Sequence, residues 1–119
     1  MKKIASILLL VLTFAIDVHA ELEEVRGILT KQEARKCNDN NYLGDFYFYY
    51  FIFINENAYP VWLDMELYKQ DHGIYVMKYS KSITLQAGET YEWKPGEYDT
   101  KNYVSLEKYY TKYKAYKKQ

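Results

Sequence analysis

Phe46-Tyr47-Phe48-Tyr49-Tyr50-Phe51-Ile52-Phe53-Ile54 is apolar or aromatic at every position, and its reading decides the fold. The run is far short of the about 20 residues that a helix needs to cross hydrocarbon. It is rich in aromatic rings, which suit a pleated surface, so it predicts a central strand covered on both faces. Asn55-Glu56-Asn57-Ala58 follows as a turn, and from Val61 the chain alternates. Val61, Leu63, Met65 and Leu67 fall on one face and Trp62, Asp64, Glu66 and Tyr68 on the other.

Further out on both sides the pattern stays β. Upstream, Val25 to Thr30 predicts a short first strand, and Lys31 to Asp45 reads as a polar connection with turn chemistry at Asn38-Asp39-Asn40-Asn41 and Gly44. Downstream, Gln70-Asp71-His72-Gly73 is a turn into Ile74 to Tyr79, and a separate short strand is expected over Ser82 to Gln86. Ala87-Gly88-Glu89 turns the chain into Thr90 to Trp93, and Pro95-Gly96 ends that piece. Short strands at this spacing predict an all-β fold, a single small antiparallel β-sandwich or a small barrel.

The end of the chain reads in two ways. Leu106, Tyr109, Tyr110, Tyr113 and Tyr116 form a helical stripe, which leaves room for a short C-terminal helix. Val104, Leu106, Lys108 and Tyr110 alternate along a strand instead. The tyrosine content favours a closing strand from Asn102 to about Tyr110 with a frayed end.

At the other end, Met1-Lys2-Lys3 is basic, Ile4 to Ile16 is apolar apart from Ser6 and Thr13, and Val18-His19-Ala20 places small residues before a cut. These three zones predict a signal peptide over 1–20, a β-rich domain over 21–119, a secreted or periplasmic location, and no transmembrane segment after cleavage. Charge is uneven beyond the cut. Glu21 to Thr100 carries 8 Lys and Arg against 14 Asp and Glu, a net of −6, whereas 101–119 carries 6 Lys against Glu107, a net of +5. A basic binding segment on an acidic body has this pattern, and so does a segment packed beside that body's acidic surface.

Chemistry is mostly excluded. Beyond the cut, His72 is the only histidine and lies in a turn, so histidine metal sites and relays lack members. Cys37 is the only cysteine; it closes no internal disulfide and is expected to be buried, the alternative being a pairing with another molecule. Asp64 and Glu66 share a strand face about 7 Å apart by strand rise. Solvated charges explain them better than a glycoside-cleaving pair. No catalytic residue, cofactor or metal is expected.

Two surfaces remain as candidates. One is Trp62 with Tyr68 on the polar face of the alternating strand, where a ring beside carboxylates stacks on a sugar or anchors a protein, unless a second sheet or the basic segment covers it. The other is the segment with Tyr109, Lys112, Tyr113, Lys114 and Tyr116, where lysines between rings suit an anionic polymer such as cell-wall glycan or lipid headgroups.

Ile54-Asn55, Val61-Trp62-Leu63 and Ile83-Thr84-Leu85-Gln86-Ala87-Gly88-Glu89 together resemble the pattern of small exported bacterial β-sandwich proteins of immunoglobulin-like form. The resemblance implies a fold and no activity, and the chain lacks the cysteine pair of antibody-type domains. The expected function is a non-enzymatic binding or inhibitor-type protein recognising an extracellular or envelope protein or glycan through aromatic surface residues. Nucleic acid is not an expected partner. A structural protein held to the envelope by its basic C-terminal segment is the alternative, and an enzyme comes third.

Overall fold

The structure is a computed structural model and describes residues 22–37, 46–100 and 104–118. The export zones, the Asn38–Gly44 turn and the expected strand start at Asn102 lie outside the described residues. Among the described residues eight strands run in chain order: β1 Glu24–Val25, β2 Ile28–Cys37, β3 Phe46–Asn55, β4 Val61–Asp71, β5 Ile74–Leu85, β6 Thr90–Trp93, β7 Tyr98–Thr100 and β8 Tyr109–Lys117. They form an all-β sandwich of two antiparallel sheets. The first sheet has the order β1-β8-β4-β5, and in the second β2 and β6 flank β3, with β7 pairing further along it.

The core lies between the sheets. β3 contributes Tyr49, Phe51 and Phe53, β4 contributes Val61, Leu63, Met65 and Leu67, and Ile28, Leu85, Trp93, Tyr109 and Ala115 complete it. The alternation expected from Val61 onward is what β4 shows. β3 sits between neighbours as expected, but only part of it is covered on both faces. Of its outer residues Ile52 is buried, whereas Phe46, Phe48, Tyr50 and Ile54 are only partly buried.

Three other expectations shift. The stretch after Thr30, expected to be a connection, continues as β2 to Cys37 because its main chain pairs with β3 along its whole length. The two strands expected between Ile74 and Gln86 are the single β5, held in register by β4 through a bulge at Leu67/Tyr68. The C-terminal helix reduces to a 3₁₀ turn at Leu106–Lys108, and the closing strand begins at Tyr109, near where it was expected to end.

Local chemistry places the turns. β4 and β5 are joined by His72 and Gly73, with φ of 51° and 85°. Positive φ at both central residues of a two-residue hairpin matches the twist of the flanking strands. Gly27, at φ 92°, breaks β1 from β2 where the chain crosses from one sheet to the other, and a Cβ there would come within 2.7 Å of the Asn57 side chain. Nearby, buried Asn55 donates from Nδ2 to the carbonyls of Tyr59, Leu85 and Gln86, and its own carbonyl accepts from Gly88. The asparagine thus fastens the end of β3 to the Leu85–Glu89 turn.

Candidate functional site

The outer face of the first sheet is a ladder read row by row from the register. Thr84, Trp62, Tyr116 and Glu24 lie side by side across β5, β4, β8 and β1. Ser82, Asp64 and Lys114 form the next row, then Ser80, Glu66 and Lys112, then Met77, Tyr68 and Tyr110. Rings therefore stand at both ends, about 20 Å apart by strand rise, with acid–lysine rows between them. Opposite charges directly across an antiparallel pair are mutually favourable.

Polar groups on the outer face of β4 are tied to neighbours. The Trp62 indole donates to Asp64 at 2.9 Å, and the Ser82 hydroxyl donates to the same carboxylate oxygen at 2.6 Å. At the other end Tyr68 and Tyr110 stack with centroids 4.8 Å apart and planes 3° from parallel, and Tyr75 meets Tyr110 edge-on at 4.7 Å. The Lys112 ammonium lies 5.1 Å from the Tyr68 ring and 5.8 Å from the Tyr110 ring, within cation–π reach of both. Partial burial, with the Glu66 carboxylate adding to it, raises the Tyr68 phenol above its ordinary range. Rigid rings, a lysine above them and tethered carboxylates make a preorganised contact surface.

Of the seven residues singled out from sequence, five come together here: Trp62, Tyr68, Lys112, Lys114 and Tyr116. The basic segment does not cover the face of β4; as β8 it lies beside β4 and widens that face. Tyr109 and Tyr113 do not join them. Strand alternation turns both inward, Tyr109 to 2% exposure and Tyr113 against the core. Composition, with lysines set between rings, had grouped them with Tyr116, and period-two geometry separates them. Tyr110 and Tyr75 were missed. Tyr110 shares the parity of Lys112, Lys114 and Tyr116, which exposes it once the segment is read as a strand, while Tyr75 joins only through the β4–β5 bulge.

Behind this face, Tyr109 packs on Tyr49 with centroids 4.8 Å apart. The Tyr49 hydroxyl donates to Asp99 and accepts the Ser105 N–H at 2.9 Å, and Lys108 pairs with Asp99 at 2.6 Å. This cluster anchors β7 and the 3₁₀ turn. The Tyr109 hydroxyl is buried with no hydrogen-bond partner among the described residues. Burial, reinforced by Glu97 and Asp99, pushes its phenol well above the usual range.

The His72 imidazole is exposed and meets Asp71 at 2.6 Å. Cys37, expected to be buried, is half-buried at the end of an edge strand. Among the described residues no group of three or more His, Cys, Asp or Glu is placed to hold a metal ion, and no helix is long and apolar enough to cross a membrane. A scan against protein-family models and searches of curated proteins and of solved structures found no match to this chain.

Proposed function

We propose that the chain is an exported recognition module, secreted or periplasmic, of binding or inhibitor type, which holds a partner protein or glycan on the outer face of its first sheet without catalysing a reaction. The observation that carries this reading is the gathering of Trp62, Tyr68, Tyr110 and Tyr116 with Lys112 and Lys114 on one solvent-facing surface. Rigid rings give large contact area at small entropic cost, and the lysine rows add a preference for anionic groups. Export is supported by the basic, apolar and small-residue zones of 1–20. The resemblance carried by Asn55 and the Leu85–Glu89 turn supports an immunoglobulin-like form.

Affinity capture tests the reading, with the mature form as bait in its own extracellular or envelope fraction. The wild-type protein is expected to retain one stoichiometric protein or one glycan. A Trp62→Ala, Tyr68→Ala double variant with an unchanged circular dichroism spectrum should bind at least about tenfold more weakly, as central aromatic contacts do. Equal retention by the variant overturns the proposal. Association with washed envelopes that survives loss of both rings but disappears with salt would favour the envelope-held alternative.

A further inference from the structure

Among the described residues the first sheet is unfinished along one edge of β8. Where β1 lies beside it, Lys117 donates its N–H to Glu23 at 2.8 Å, and Val25 pairs with Ala115. At the other end the Tyr109 carbonyl accepts the Gln32 side chain at 3.3 Å. The register of β8 on β4 is continuous from Lys117 to Tyr109, so main-chain groups alternate without a slip. Odd-numbered residues point away from β4, and the N–H and C=O of Thr111 and Tyr113 therefore face the edge between these two ends. β1 does not cover them, because the chain turns off at Gly27 and enters the second sheet as β2.

The space beside this edge has the form of a slot. A groove of about 420 Å³ is lined by Thr30, Lys31 and Gln32 of β2, Leu106, and Tyr110 and Thr111 of β8. β1 shows what sits on this edge: an extended segment with Glu24 on the outer face and Val25 packed on the core. Across β4 and β8 the outer rows run acid then lysine, Asp64 to Lys114 and Glu66 to Lys112. A third strand continues that order by placing acids beyond the lysines. A second copy pairing antiparallel about Tyr113 would instead set Lys112 against Lys114, and like charges directly opposite are unfavourable.

We propose that the open edge of β8 between Tyr110 and Lys114 accepts an extended segment of a partner polypeptide, with acidic side chains outward and apolar side chains toward the groove. Strand addition of this kind draws affinity from main-chain hydrogen bonds and selectivity from alternate side chains. Its main-chain hydrogen bonds use Thr111 and Tyr113, which are not part of the ring-bearing face, while its preference for acids rests on Lys112 and Lys114 of that face.

Amide hydrogen exchange and chemical-shift perturbation on the intact mature domain test it. The probe is a short synthetic peptide of alternating glutamate and valine. In the free protein the Thr111 and Tyr113 amides should exchange much faster than that of Lys112, whose N–H faces β4. Saturating peptide should slow both, whereas the same peptide N-methylated at alternate residues, or with lysine for glutamate, should bind at least about tenfold more weakly. Thr111→Pro fits an edge strand whose N–H faces outward, and it should keep a dispersed spectrum while losing the peptide. If that variant does not fold, the N-methylated peptide still decides. Protection of Thr111 and Tyr113 in the free protein equal to that of Lys112 overturns the proposal. So does equal binding of the N-methylated peptide, which would mark a contact of charge alone.

Discussion

Among the described strands β3 and β8 carry the most rings, and each turns one face to the core and the other, apart from the buried Ile52 of β3, toward water. They solve the exposed side differently. β3 presents Phe46, Phe48, Tyr50 and Ile54 and takes its shield from neighbours: Lys94 lies 4.3 Å from the Phe48 ring, and Arg35 4.2 Å from the Tyr50 ring. Arg35 is held there by Glu92 at 2.6 Å and Glu33 at 2.9 Å. β8 carries its own polar cover, with Lys112 and Lys114 between Tyr110 and Tyr116. An unbroken aromatic run therefore does not require two buried faces, because long cationic side chains on adjacent strands cover rings while keeping their charge in water.

The largest test of this contrast lies within β3. Phe51→Ala should cost about 3–5 kcal/mol of unfolding free energy, since Phe51 is fully buried. Phe48→Ala, on the outer face against Tyr98 and Lys94, should cost about 1–2 kcal/mol. Equal losses in denaturant titrations would mean that the outer face is buried after all.

A smaller pair of changes compares the two strands where their rings meet. Tyr49→Phe removes a hydroxyl that serves both Asp99 and Ser105, and should cost about 1–3 kcal/mol. Tyr109→Phe removes a hydroxyl without a partner, and should stay within about 0.5 kcal/mol of wild type at neutral pH. Alkaline pH separates them further. The folded state holds the Tyr109 proton above the ordinary value of 10.0, so this contribution is complete below that pH and is lost as pH rises above it. Tyr109→Phe should flatten the alkaline decline in melting temperature, and an unchanged slope would show that this phenol is not the group responsible.

The smallest effect concerns the shield. Arg35, through its hydrogen bonds, lowers the Glu92 carboxyl below its ordinary value of 4.5. Stability from the pair is present above that pH and is lost as pH falls through the lowered value. Arg35→Ala should therefore remove a shallow acid step from the unfolding profile and leave a spectrum of folded protein. An identical acid profile would assign the cover of Tyr50 to packing rather than to the ion pair.

Much of the fold was legible because turn chemistry and period-two alternation are local. His72-Gly73 and Ala87-Gly88-Glu89 mark their turns from composition, and Val61 to Leu67 announces its buried face through alternation alone. The ring-bearing surface was half legible. Trp62 and Tyr68 follow from that same alternation, and Lys112, Lys114 and Tyr116 from composition. Tyr109 and Tyr113 were grouped with them by composition, which does not say which face of a strand a ring takes.

The sequence by itself therefore determined the β class, the turns of the central hairpins and the inward row of β4, since these rest on the backbone preferences of single residues and their nearest neighbours. Tertiary structure alone decided that Lys31 to Cys37 is a strand, that β8 starts at Tyr109 beside β4, and that the chain changes sheet at Gly27. It also decided that no described strand pairs with the edge at Thr111 and Tyr113. The physical reason is that a strand is completed by hydrogen bonds to residues far away in the chain, and neither the partner nor the unpaired edge leaves a mark in local sequence.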